Sequence, residues 1–430
     1  VIYWEGLWAW FQADDFVWLG IQGRPLWEAL FQPTANQGSF RPLSERVFFL
    51  LFHSLFGLNA LPYRIFVFAV FFAALILLAS VVRRLTGSET AAVLAAVFWI
   101  VNPAMATVMS WTAASVHLSG AFFILLAFYL LLLHDETGKW RYYWLQVAVF
   151  VLGFGVLEVN VVYPALATGF ALLRARHLLK HVLPLFAISA LFLLWEPRQQ
   201  AGAYALHFDG AMLNTFKTYW RFAVFPPQAT DVWPINQGQV ALLVRVMTLA
   251  LAGWLVWSLW KRRFVSAFLM AWFVILVSPF VPLRDHIEYY YLTVPLMGMA
   301  AFAGEAVARS RNIFAWLLAV VYIVFAIPVT RHYTALRAEN SHHAERIVYA
   351  VREAVKDKPD AIVVLDDVDN DTFWSVIWDR PFGLVGANQV YLAQGSEARI
   401  APSYGRTQIS DFVLKDGVDS DKIVRVSCQR

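Results

Sequence analysis

Long apolar runs separated by short polar connections fill the chain from residue 60 to residue 330. A helix crossing about 30 Å of hydrocarbon needs about 20 apolar residues. The pattern predicts spans over 60–82, 91–109, 118–133, 143–157, 161–173, 181–195, 239–260, 264–281, 289–308 and 313–330. Three of these, 143–157, 161–173 and 181–195, are short for a perpendicular crossing and are expected to be tilted, broken or packed within protein. From Arg331 polar residues return and the apolar runs shorten. SHHAERIVYAVREAVKD (341–357) has helical spacing of Ile347, Val348, Val351 and Val355, while AIVVLDD (361–367), NQVYLA and KIVRVS read as strands. The expected fold class is mostly α: a polytopic transmembrane helical bundle over 1–335, followed by a small α/β domain over 336–430.

The polar connections carry an orientation. Arg83 with Arg84, Lys139 with Arg141, Arg174 with Arg176 and Lys180, Lys261 to Arg263, and Arg309 with Arg311 occupy alternate loops. Short cytoplasmic loops are enriched in Lys and Arg, so these loops are expected in the cytoplasm. Residues 1–59, 110–117, 196–238, 282–288 and the tail after 331 then lie on the extracytoplasmic side.

Composition agrees with a membrane protein. AVILMFWYC make up 60% and DEKR 15% of 430 residues, against about 25% charged residues in soluble domains. Mean hydropathy is +0.56. An ordinary soluble enzyme and a disordered scaffold are both excluded. A single cysteine, Cys428, removes disulfide frameworks, iron–sulfur clusters and Cys-rich zinc sites. The net charge of +4 follows from basic cytoplasmic loops, and no nucleic-acid partner is expected. HExxH, Walker, dinucleotide and nucleophile-elbow motifs do not occur. The chain opens on Val1 and VIYWEGLWAWFQ with no signal-peptide pattern, so a start and a first helix are expected to precede it, and the domain after 336 is open to continuation past Arg430.

Asp14 and Asp15, in FQADDFVWLG, place two carboxylates among aromatic residues at the outer boundary. They serve either as a helix cap or surface turn, or as a general base with its orienting neighbour. Glu158, at the end of an apolar run, is expected in a buried pocket or a structural hydrogen-bond network. His117 opens a span, where either an interfacial or a functional role fits. Tyr219, Trp220, Phe222 and Phe225 are expected at the membrane interface, in a loop that also offers a specificity region. Asp367, Asp369 and Asp371 alternate as in a calcium loop, but Thr372 stands where Gly is needed, which favours a helix cap.

In order, DDF, FRPLSERVFFLLFHSLFGLNALPYR, WTAASVHLSGAFFILLAF, LGFGVLEVNVVYPAL and PLRDHIEYYYLTVPLMGMA resemble the GT-C superfamily of integral-membrane glycosyltransferases. The likeness is greatest to bacterial family-39-like enzymes and the related transmembrane O-mannosyltransferases. Those enzymes carry an acidic pair in the first external loop followed by an Arg-Pro-Leu element. Of the family's Lys-Glu pair only Glu158 is kept, TAASVH replaces a Gly-Arg and Asp segment, and Tyr291-Leu292-Thr293-Val294-Pro295 approximates a Tyr-Leu-Tyr-Leu-Pro element. The resemblance implies transfer of a sugar from a polyprenyl-phosphate donor to a lipid, glycan or protein acceptor, on the extracytoplasmic face of a bacterial inner membrane.

It further implies Asp14 and Asp15 as catalytic residues, Asp14 as the base. Arg41, His117, Glu158, Arg284, His286, Glu288 and Tyr291 become the substrate-binding candidates. A departing phosphate calls for guanidinium donors such as Arg41 and Arg284. The alternatives are an Arg41–Glu45 pair, and for Arg284 a pair with Asp285 or Glu288 or a headgroup anchor. No metal ligand set is assigned. A divalent cation at the donor phosphate stays open, and the chemistry does not require one. A transporter or flippase of lipid-linked substrates, and a non-catalytic assembly factor with this fold, remain as alternatives.

Overall fold

In the computed structural model, residues 2–31, 41–195, 202–310, 312–401, 409–415 and 420–429 are described. Among them five helices are long and apolar enough to cross a membrane: Ala60–Thr86, Ala113–Thr137, Arg176–Trp195, Gln237–Trp260 and Ile313–Val355. The 91–109 run makes a helix pair, Glu89–Val101 and Ala104–Ser110, bent by 70°. The bend follows from Asn102-Pro103: proline disfavours helical geometry in the residue before it, and Asn102 adopts extended dihedrals. Its side chain then caps the second half, Oδ1 accepting from Ala104 N at 2.9 Å. The remaining expected spans appear as the shorter helices Trp140–Phe154, Tyr163–Arg174, Phe264–Val277 and Leu296–Ser310.

The bundle packs closely where side chains are small. A Cβ on Gly304 would sit 2.7 Å from the Ala91 carbonyl oxygen and 2.8 Å from Ala95 N. Glycine there lets Leu296–Ser310 lie against Glu89–Val101, a contact that in lipid depends on van der Waals fit.

Polar connections sort to two ends. At one end Arg84 pairs with Glu136, Arg174 donates to the Leu85 carbonyl, Arg309 donates to the Thr86 carbonyl, and His134 meets His181. At the other end Gln12 donates to the Ser110 carbonyl, His207 N donates to the Pro282 carbonyl, and Tyr333 donates to Asp231. The loops expected on opposite sides of the membrane therefore occupy opposite ends of the bundle.

Past Arg331 the helix continues. Ile313–Val355 runs unbroken for 43 residues, joining the last span to the helix expected over 341–357. It carries a three-stranded parallel sheet of β1 (Ile362–Asp366), β2 (Val390–Leu392) and β3 (Ile423–Ser427), in the order β2-β1-β3. Asp369, not Asp371, caps the turn after β1, accepting from Thr372 N at 2.7 Å. The hydrophobic core around the sheet, with Val363, Leu365 and Phe373, is continuous with Trp10, Phe11, Phe16 and Trp18 of the N-terminal segment and Phe49. The first loop and the C-terminal sheet share one core.

Candidate active site

The Asp14–Asp15 turn is built into this shared core. Ala13 takes a left-handed conformation (φ 47°) and donates its N–H to the Ser375 carbonyl at 2.6 Å. Asp15 is fully buried. Its Oδ2 accepts from Gln12 N at 3.0 Å and its Oδ1 from Ala113 N at 2.6 Å, tying the first loop to the 110–117 turn. Burial pushes the Asp15 carboxyl up to about 7, opposed by the two N–H donors and by Arg64. Asp14, next in chain, stays partly exposed at the start of the Asp15–Leu19 helix. The structure thus gives the two carboxylates different surroundings.

Arg41 is delivered by a second local device. It precedes Pro42, which holds it out of helical geometry and opens the Pro42–Val47 helix. Leu43 N donates to the Gly155 carbonyl at 2.8 Å and Ser44 Oγ to the Val156 carbonyl at 2.8 Å. A Cβ on Gly155 would meet Leu43 Cγ at 2.9 Å, so glycine permits this approach. The 155–158 turn, braced by Asn160 donating to the Gly153 and Leu157 carbonyls, then faces Glu158 to Arg41.

The result is a bidentate pair. Arg41 Nε and Nη2 each donate to Glu158 at 2.7 Å, and Nη1 donates to Glu45 Oε1 at 2.9 Å. Arg41 holds Glu158 below its usual range despite burial. Glu45 is pushed up to about 7, first by burial and then by the negative charges of Glu158 and Asp14. Asp14 is therefore an electrostatic neighbour of this cluster. Glu45 Oε2 is buried with no hydrogen-bond partner among the described residues.

Aromatic residues close the cluster. The buried His117 ring lies 5.0 Å from Tyr290 and 5.3 Å from Tyr291, and Tyr291 stacks on Phe280 at 4.6 Å. His286 joins through Tyr291, at 5.7 Å. Tyr290 meets Trp111 edge to face, and the Arg337 guanidinium lies over the Trp111 ring at 5.8 Å.

Asp14, Asp15, Arg41, His117, Glu158, His286 and Tyr291 are thus brought into one neighbourhood. Arg284 is directed elsewhere, to Asp209 and Asp285, and Glu288 sits beside Tyr219 and Tyr289. Tyr219 and Phe225 are fully buried within the protein, while Trp220 and Phe222 are partly exposed. Residues 196–201 of that loop lie outside the described residues.

Sequence reasoning did not single out Arg64, Tyr290 or Arg337. Arg64 was detectable as a lone charge in an apolar helix, the signal that drew attention to Glu158. Arg337 was masked by the expectation that the last helix ends near 330.

The carboxylates do not converge as a metal site. Asp15 is committed to two N–H donors, and Glu158 and Glu45 to Arg41. Among the described residues no group of three potential ligands comes together.

Residues 41–197 match the family model for dolichyl-phosphate-mannose-protein mannosyltransferase. No curated protein matches the sequence. Solved structures similar to the chain include two from different organisms. One is the Archaeoglobus fulgidus oligosaccharyltransferase in complex with Zn and sulfate, at 14% identity and TM-score 0.50 over 89% of this chain and 58% of that one. The other is ArnT from Cupriavidus metallidurans bound to undecaprenyl phosphate, at 12% identity and TM-score 0.50 over 96% of this chain and 87% of that one. This chain therefore spans little more than half the length of the oligosaccharyltransferase. Its fold is similar to that of these two structures, and the match to the mannosyltransferase family model takes in both Arg41 and Glu158.

Proposed function

We propose that the protein transfers a sugar from a polyprenyl-phosphate donor to an acceptor hydroxyl, with Asp14 as general base, on the extracytoplasmic face of a bacterial inner membrane. The observation that carries this is the contrast within the acidic pair. Asp15 is fully buried and fixes the turn through two N–H bonds, while Asp14 is partly exposed and acts electrostatically on Glu45 of the Arg41–Glu45–Glu158 cluster. The family match over residues 41–197 and the fold shared with ArnT, a structure bound to undecaprenyl phosphate, support the donor class. The basic loops at the opposite end of the bundle support the orientation.

In the proposed reaction the acceptor oxygen attacks the anomeric carbon as its proton passes to the Asp14 carboxylate. The bond from anomeric carbon to phosphate oxygen breaks, and polyprenyl phosphate leaves. Asp15 is a positioning residue: its two N–H bonds hold the turn at a fixed height over the cluster, so little reorganisation accompanies proton transfer. Glu158 and Glu45 balance the Arg41 charge, which suits Arg41 to ordering the floor of the site. We assign the cation facing the leaving phosphate to Arg337, over Trp111, in place of Arg284, whose guanidinium is held by Asp209 and Asp285. No step is routed through a metal ion.

The test is sugar transfer in membranes supplied with labelled polyprenyl-phosphate sugars, comparing the natural chain with Asp14→Asn at matched expression. Transfer abolished by the substitution supports the reading. Absence of transfer with every donor, alongside carrier binding that survives Asp14→Asn, points instead to a lipid transporter or a non-catalytic relative.

A further inference from the structure

The end of the bundle opposite the Asp14 turn holds a separate cavity of about 320 Å³, formed where the ends of four helices meet. Four guanidinium groups reach it: Arg174, Arg262, Arg263 and Arg309. Two of them are fixed in place. Arg174 donates to the Leu85 carbonyl at 3.0 Å, and Arg309 donates to the Thr86 carbonyl while pairing with Glu305 at 3.1 Å. Glu305 is 2% exposed, and its second oxygen accepts from Trp254 Nε1 at 2.9 Å and Ser266 Oγ at 2.8 Å. It is the one carboxylate among the residues lining the cavity. Among the described residues Arg174, Arg262 and Arg263 pair with no carboxylate. A net excess of three positive charges therefore surrounds the cavity.

Its apolar wall includes Leu173 and Phe264, large side chains exposed on the surface of the bundle. A general excess of basic residues in loops at this end does not require Arg174 and Arg309, from the ends of two helices, to converge on one cavity with Arg262 and Arg263 of the turn that joins two others. We propose that this cavity binds the phosphate headgroup of an anionic phospholipid from the leaflet at that end. Guanidinium forks match phosphate oxygens, and basic recesses between membrane helices take anionic headgroups. Exposed Leu173 and Phe264 favour a lipid over free phosphate, since they offer apolar contact to the chains below a headgroup. The site is independent of the proposed reaction at the other end.

The full chain, purified in a neutral detergent, is titrated with phosphatidylglycerol, with phosphatidylcholine and with inorganic phosphate, and bound molecules are counted by native mass spectrometry. Phosphatidylglycerol is expected to bind in preference to phosphatidylcholine. Combining Arg262→Asn with Arg263→Gln is expected to lower its affinity about thirtyfold, since each basic contact contributes about 1 kcal/mol. Asn suits position 262 because Arg262 has φ 56°, and Arg263→Lys is expected to retain most of the binding. Asp14→Asn is expected to leave it unchanged, which separates this site from the catalytic reading. Equal binding of the two lipids, or an unchanged affinity in a double variant with a natural melting temperature, overturns the proposal. Inorganic phosphate that binds as tightly as phosphatidylglycerol and displaces it also overturns the lipid assignment.

Discussion

Adjacent carboxylates with unequal surroundings predict unequal failures. Asp15 accepts two backbone N–H groups with two oxygens, whereas an asparagine there offers one acceptor and turns an NH2 toward the other donor. Asp15→Asn is expected to cost about 1–3 kcal/mol through that unsatisfied N–H, seen as a lower melting temperature, with turnover falling along with it. Asp14→Asn is expected to keep the melting temperature and lose about 10²–10⁴-fold in turnover, the range for a removed general base. Equal losses of stability in both variants would show that Asp14 is a structural residue as well.

Glu45 and Asp15 also set a pH dependence. Both are raised to about 7 by burial, from about 4.5 and 3.8. An acid whose folded pKa exceeds its unfolded value binds its proton more tightly when folded, so its contribution is complete below the unfolded value and is lost as pH rises through the folded one. Melting temperature is therefore expected to fall from pH 5 to pH 8. Glu45→Gln keeps an acceptor for Arg41 and removes one of the two titrations, so its profile is expected to be flatter and its melting temperature at pH 8 higher than in the natural chain. A natural chain with no such slope in thermal unfolding would contradict the burial of both groups.

At the scale of elements, Arg64 binds the N-terminal segment to the bundle. It is fully buried in Ala60–Thr86, donating to the Gly6 carbonyl at 2.8 Å, to the Met109 carbonyl and to Thr112 at 3.4 Å. Arg64→Met is expected to cost about 3–5 kcal/mol, because it leaves two carbonyls unpaired and removes the positive charge near Asp15. Detergent-extracted protein followed by thermal unfolding reads this directly, and a near-natural melting temperature would count against the contacts described. The helices themselves were legible in the sequence, since each apolar run is a local pattern. Their junctions were legible only where a local residue decides them, as Pro103 does for the 70° bend. The continuity of Ile313–Val355 was hidden, because polar residues at 331–345 end a membrane span without ending a helix. The Arg41–Glu158 pair was hidden for a different reason: its 117-residue separation is closed by the packing of the 41–47 helix on the 155–158 turn, which neither segment encodes alone.

For the whole molecule, the C-terminal sheet belongs to the same hydrophobic core as the first loop, so it forms part of the wall that positions Asp14. Trp10 N donates to Ser341 Oγ at 2.9 Å and Ala13 N to the Ser375 carbonyl at 2.6 Å, and the aromatic residues on either side of the Asp14 turn pack into the core that contains Phe373. Phe373 is fully buried, within 6.0 Å of the rings of Trp374, Trp378 and Phe412. Phe373→Ala removes a large side chain far in sequence from every proposed catalytic residue and is expected to cost about 3–5 kcal/mol locally. The spans make no use of Phe373, so the variant is expected to insert and to keep its helical content in detergent. The loosened sheet is expected to release the Ala13–Ser375 link, raising amide exchange at residues 10–16 and lowering sugar transfer at least tenfold, since a misplaced base costs rate steeply. If exchange at 10–16 and transfer both stay at their natural values, the sheet is a passenger on the long helix, and the rigidity of the Asp14 turn rests on Asp15 and Arg64 alone.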